Sequence, residues 1–283
     1  MAPAEALDRL KQAACSDTRN TFFLPNFRHA GCSVGDKRSS APSSSECIPM
    51  KTLISSAAYA ASVALSQQGL AVKRSHLAEV IAALLGYRTF AALSVEEEDM
   101  SLTYHLEDAE LYVLNIPRAE ERALSLKQPN TVAACVLAMK AEFPVPVYDS
   151  VDDFWDSHTR ELVEDAIEGS DEVSGAMGDS NATFPYSPDL DEPETSGDLW
   201  ASSDSWTIEA QGTMTGEYDP EGDRMYTGHK LDVWGERSYY KAGRAGLVFD
   251  DGKEGASPDD TWREDDSVDD LDEAFEERMT RED

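Results

Sequence analysis

Cysteine is scarce: the 283 residues include four, Cys15, Cys32, Cys47 and Cys135. None belongs to a C-x-x-C pair. Zinc sites draw their ligands from closer pairs, and a disulfide framework needs a short, Cys-dense chain. The spacing points to a reducing, cytoplasmic setting, with Cys135 buried in the apolar run AACVLA. Basic residues are also few, 24 Lys and Arg against 56 Asp and Glu, for a formal net charge of −32. Such a surface repels phosphate backbones and anionic lipid and favours basic partners. No apolar run approaches the roughly 20 residues that span a bilayer, so no membrane association is expected. Fingerprints for a nucleophilic Ser elbow, a P-loop or a dinucleotide site are missing. No catalytic residue, cofactor or metal ligand set is nominated.

What is present divides along the chain. Residues 1–49 are rich in Ser, Gly and Pro without apolar periodicity, the composition of a disordered leader. Met50 then opens MKTLISSAAYAASVALSQQ, which resembles a secretory signal if translation starts there. Its stripe Leu53, Ile54, Ala57, Ala61, Ala64 and Leu65 suits an ordinary amphipathic first helix closed by Gly69, the reading adopted here. Leu77, Val80, Ile81, Leu84 and Leu85 give the strongest helical pattern, and Gly86 ends it. Tyr87, Phe90 and Leu93 form a short third piece. Ser94 and Glu97 have the spacing of a capping box, which predicts a further helix over VEEEDMSL. AELYVLNI is strand-like up to Pro117, while RAEERALSL and TVAACVLAMKAEF are helical. Ser150, with Asp153 three residues on, caps a helix whose stripe is Val151, Phe154, Trp155, His158, Leu162, Val163 and Ile167.

Residues 169–203 are dominated by Gly, Ser, Asp, Asn and Pro and are expected to be an acidic linker. Over 204–250 the period becomes two, with Trp206, Ile208 and Ala210 alternating, as do Leu231 and Val233. This predicts a small antiparallel β unit that must pack on the helices, because two or three strands alone are marginal. Residues 251–283 form an acidic tail with a possible helix capped by Ser267 and Asp270. The expected fold is α+β: a mainly helical domain at 50–168 packed with the β unit, plus leader, linker and tail.

Several motifs bear on chemistry. LAVKRSHLAEVIAALLGYRTFAAL has the outline of a DNA-reading helix-turn-helix, with Lys73, Arg74 and Arg88 as a local basic patch. Its second piece, TFAAL, runs into Glu96, Glu97, Glu98 and Asp99, which oppose phosphate. The stretch also resembles the helical segment of bacterial glyoxalase-superfamily proteins, in which Ser-His leads into a helix and then Leu-Gly-Tyr/Phe-Arg. That resemblance implies a metal-dependent lyase or dioxygenase scaffold of βαβββ modules with His and Glu ligands. Neither the modules nor clustered histidines are seen in this sequence, so no catalytic residue is carried over. His76 and Glu79 lie one turn apart but also suit a helix start. His158 sits on an apolar stripe, and Asp152 and Asp156 read as a solvated helix face. Glu217, Asp219, Glu221 and Gly222 follow the opening spacing of a calcium loop, but Gly228 replaces the closing carboxylate. A hairpin turn is the better reading, with a weak cation site near Asp219 left open.

The functional expectation is a non-catalytic, acidic bacterial accessory or adaptor protein that binds another protein, its charge favouring a basic one. Its contact residues are expected among the aromatics and arginines Tyr87, Arg88, Phe90, Trp206, Trp234, Tyr239, Tyr240 and Arg244. A glyoxalase-like metal enzyme and a nucleic-acid-associated or DNA-mimicking regulator are the alternatives.

Overall fold

A computed structural model describes residues 49–180, 182–219 and 229–258. The leader Cys residues, most of the calcium-like loop and the Ser267–Asp270 box lie outside them. Helix α1 (Met50–Gln67) buries Leu53, Ile54, Ala57, Ala61 and Leu65, as its stripe predicts. Gly69, with φ +79°, ends the turn that follows. Helix α2 (Arg74–Leu84) buries Leu77, Val80 and Ile81 completely. Gly86, at φ +84°, turns the chain into α3 (Phe90–Glu96), where Thr89 caps by accepting from the Ala92 amide at 3.1 Å. The expected helix over VEEEDMSL does not form. Ser94 lies inside α3, and the Glu97 carboxylate instead accepts from the Leu106 amide at 2.9 Å.

Strand β1 (Leu111–Val113) follows, then α4 (Ile116–Ser125), α5 (Val132–Glu142) and β2 (Val147–Tyr148). Pro117 falls in the first turn of α4, where its missing N–H costs nothing. Ser150 caps α6 (Val151–Phe154) by accepting from the Asp153 amide at 3.0 Å. The returning Asp153 bond goes to the Asp149 amide rather than to Ser150, one residue earlier than a standard box. A π-helical turn, Trp155–Thr159, joins α6 to α7 (Arg160–Gly169). Its extra residue shifts the helical phase. Phe154, Trp155, Val163 and Ile167 stay inside as expected, Thr159 joins them, and Leu162 turns outward.

The expected linker at 169–203 is structured. It holds α8 (Asp171–Asp179) and the short strands β3 (Ala182–Thr183), β4 (Asp189–Leu190) and β5 (Glu194–Thr195). Val173, Leu190 and Leu199 are buried there, so a few apolar anchors hold an otherwise polar segment onto the sheet. Strands β6 (Ser205–Thr215), β8 (Lys230–Ala242) and β9 (Gly246–Pro258) are the long ones, and β7 (Glu217–Tyr218) pairs with β3. The first residues assigned to an acidic tail, 251–258, belong to β9. They are held by pairing with β8 from Arg237↔Gly252 to Leu231↔Pro258.

The protein is thus α+β, but its β unit is not a separate small module. Among the described residues one sheet runs β2-β1-β9-β8-β6-β4, with β5 also on β6. β1 is parallel to β2 and antiparallel to β9. Tyr112 and Leu114 face a helical core built from α1, α2, α4 and α5. Leu111 and Val113 face a second core with Phe154, Val163, Trp206 and Tyr239. Burial of this apolar surface is the main source of stability. No helix among the described residues is long and apolar enough to cross a membrane.

Candidate functional site

At the end of β8 the chain turns through Gly243 and Arg244 into β9, and a cleft of about 720 Å³ opens beside that turn. Gly243 takes φ +61°, and a Cβ there would lie 2.6 Å from the Tyr87 hydroxyl. Lys241, the penultimate residue of β8, lines the cleft and is 4% exposed. Its Nζ donates to the Arg244 carbonyl at 2.8 Å, and its backbone N–H donates to the Asp204 carbonyl at 2.9 Å. Burial pushes the Lys241 ammonium down to about 7, with more distant Asp198 and Glu96 pulling it back up.

The wall behind Lys241 is a polar network. The Tyr87 hydroxyl donates to Glu96 Oε1 at 2.7 Å and lies 3.4 Å from the donating Arg244 amide. Arg244 Nε reaches Glu96 Oε2 at 3.4 Å, and the guanidinium stands 5.3 Å from the centre of the Tyr87 ring. Burial and the Glu96 carboxylate both raise the Tyr87 phenol far above its ordinary value, so it stays a neutral donor. Tyr104 stacks on Tyr240 with ring centres 5.6 Å apart. Trp200 lines the same cleft, and its indole N–H donates to the Val113 carbonyl at 3.0 Å. Trp200 fits because residue 86 is Gly: a Cβ would meet its Cδ1 at 3.0 Å and Arg244 Cβ at 3.1 Å.

Trp200 also lines a second cleft, of about 810 Å³, between α6 and the segment running through β4 and β5. Five carboxylates border it, Asp152, Asp156, Asp191, Glu192 and Asp198, all exposed. Arg160, the cation on its lining, is held by Glu164 at 2.9 Å.

Of the eight expected contact residues, Tyr87, Tyr240 and Arg244 come together around Lys241. Tyr87 is there as a buried strut, 0% exposed, and cannot present a face to a partner. Trp206 and Tyr239 are likewise buried, packed with Phe154 in the second core. The alternating pattern that marks them as strand residues also places them on the inner face. Phe90 is half-buried against the helical core, and Arg88 is exposed. Trp234 and Tyr240 are 38% and 40% exposed on the outer face of β8. Six residues apart on one strand, they are about 20 Å from each other and form no single patch.

Lys241, Glu96, Tyr104 and Trp200 were not nominated from sequence. Lys241 closes a period-two stripe of inward positions that includes Tyr239, and a lysine on such a stripe was the available signal.

The stretch LAVKRSHLAEVIAALLGYRTFAAL forms α2, the Gly86 turn and α3. Glu79 there accepts from Arg122 at 2.7 Å and from the Phe90 amide at 3.2 Å, so it serves as a brace between elements. Ala91, Ala92 and Val95 occupy the exposed face of α3. Among the described residues no three His, Cys, Asp or Glu side chains come together as a metal-holding group. No protein-family model, no curated protein and no solved structure matches this chain.

Proposed function

We propose that the chain is a binding protein that receives a lysine- or arginine-bearing segment of a protein partner in the acidic cleft beside Trp200. The observation that carries this reading is the set of five exposed carboxylates around one concavity whose lining arginine is already paired. Asp198 already accepts from the Trp200 amide at 2.9 Å, so a partner cation entering there is met chiefly by Asp152, Asp156, Asp191 and Glu192, and the Trp200 ring offers a face for cation–π contact. The net charge of −32 draws a basic partner in from a distance and accelerates encounter. Exposed charge pairs are individually weak, so affinity comes from several acting together with the tryptophan.

The test is titration of the full chain with decalysine at low and high salt. A variant carrying Asp152→Asn, Asp156→Asn, Asp191→Asn and Glu192→Gln is compared with a control neutralised at Glu120, Glu121, Asp165 and Glu168. At about 0.5 kcal/mol for each exposed pair, the cleft variant is expected to bind roughly 30-fold more weakly. The control removes the same charge and should stay within about threefold of the parent. Equal loss in both variants would mean that decalysine sees only bulk charge, and the cleft would lose its role.

A further inference from the structure

Lys241 is an amine taken out of water without a carboxylate partner. It is 4% exposed, and its side-chain contact is the Arg244 carbonyl. The charged and titratable groups around it come from each neighbouring element. Glu96 and Asp99 lie in and after α3, Asp198 and Asp204 in the segment before β6, Tyr240 beside it on β8, and Arg244 in the turn. Glu96 is committed to Tyr87 and Arg244. A lysine kept only as structural glue would be expected in an ion pair, because an unpaired buried ammonium is costly. Here burial favours the neutral amine, which lies beside a cleft of about 720 Å³, large enough for a small molecule.

We propose that Lys241 is a nucleophilic amine that captures small uncharged aldehydes in this cleft as an imine. The Nζ lone pair attacks the carbonyl carbon and forms the C–N bond, while the C=O π pair moves to oxygen and takes up a proton from nitrogen. Loss of that hydroxyl with the second N–H proton releases water and leaves C=N. Amine and aldehyde thus become imine and water, with no oxidant or reductant required. The class of aldehyde follows from the rim. Glu96, Asp99 and Asp204 repel carboxylated or phosphorylated aldehydes, and Arg244 is already engaged by Glu96. The stacked Tyr104 and Tyr240 rings give an uncharged ligand an apolar wall.

Near pH 7 about half of Lys241 is free base, against roughly one part in three thousand for a lysine at its ordinary value of 10.5. With a Brønsted exponent of about 0.5, as for thiolate nucleophiles, the lower basicity takes back about 50-fold of that advantage and leaves an expected rate about 30-fold above exposed lysines. The inference is independent of the acidic-cleft reading.

The test treats the full chain at neutral pH with propionaldehyde and cyanoborohydride, which reduces imines in place, and follows each lysine by peptide mass spectrometry. Lys241 is expected to label roughly 30-fold faster than the exposed Lys51 and Lys253. Glyoxylate, the charged arm, is expected to label Lys241 more slowly than propionaldehyde does. Labelling of Lys241 no faster than Lys253, or only after unfolding in urea, overturns the proposal. Equal labelling by glyoxylate overturns the assignment to uncharged aldehydes.

Discussion

Replacing Lys241 with Met removes the charge while keeping the length of the side chain, and it should make the protein more stable near neutral pH. Folding lowers the Lys241 value from 10.5 to about 7. Above 10.5 the amine is neutral in both states and costs nothing. As the pH falls through the interval, the unfolded chain binds a proton that the folded chain resists, so stability is lost until about pH 7, below which the loss is complete. At 1.36 kcal/mol for each pKa unit, this amounts to about 4 kcal/mol at pH 7 and about 1.4 kcal/mol at pH 9.5. Methionine forfeits the bond to the Arg244 carbonyl, worth about 1 kcal/mol. Lys241→Met is therefore expected to gain about 3 kcal/mol near pH 7 and almost nothing near pH 9.5. Urea unfolding of parent and variant at the two pH values measures both differences, and taking the difference between them cancels every group the substitution leaves alone. An equal change at both pH values, or destabilisation at pH 7, would show that the amine is not held out of water in the folded protein.

Gly86→Ala combines a left-handed backbone with a Cβ 3.0 Å from Trp200 Cδ1, and is expected to cost about 2 kcal/mol or more and to shift tryptophan emission to the red. Tyr87→Phe removes the donor to Glu96 and the acceptor for the Arg244 amide. A loss of about 1–2 kcal/mol, seen as a lower melting temperature, is expected. Burial pushes the Cys135 thiol up to about 12. An aromatic disulfide reagent near pH 8 should therefore modify Cys135 only after unfolding, as followed by mapping of its peptide; rapid native modification would mean the helical core opens readily.

Much of the fold was legible because it rests on local periodicity. The Leu77–Leu85 stripe, the Ser150 cap and the Trp206–Ala210 alternation each report a single element burying one face, and each appears in the structure as expected. What failed depended on partners far along the chain. Glu97 has the spacing of a capping residue, yet its carboxylate is taken by the Leu106 amide. Leu190 and Leu199 look like isolated apolar residues in a polar stretch, and only the sheet they land on makes that stretch ordered. The π turn at 155–159 has no periodic signature, so Thr159 inside and Leu162 outside are not foreseen, although Val163 and Ile167 beyond it face inward as expected. The site suffered most. An aromatic residue is a contact candidate only on the outer face of the sheet, and Trp206 and Tyr239 lie on the inner one. Lys241 acquires its character from Asp204, Trp200 and Glu96, residues from 37 to 145 positions away in the chain.

β1 has a consequence for how the molecule is made. Its three residues are buried on both sides, and they pair with Gly246 and Leu247 near the far end of the described chain. The helices around α2 bury one another and can settle while the ribosome is still at work. Leu111 and Val113 must wait until β9 has emerged before their flank is sealed. During that interval the nascent chain displays an unfilled strand edge lined with aliphatic groups, the kind of surface that chaperones hold. Vectorial synthesis thus delays the step that unites the two cores until β9 has been made.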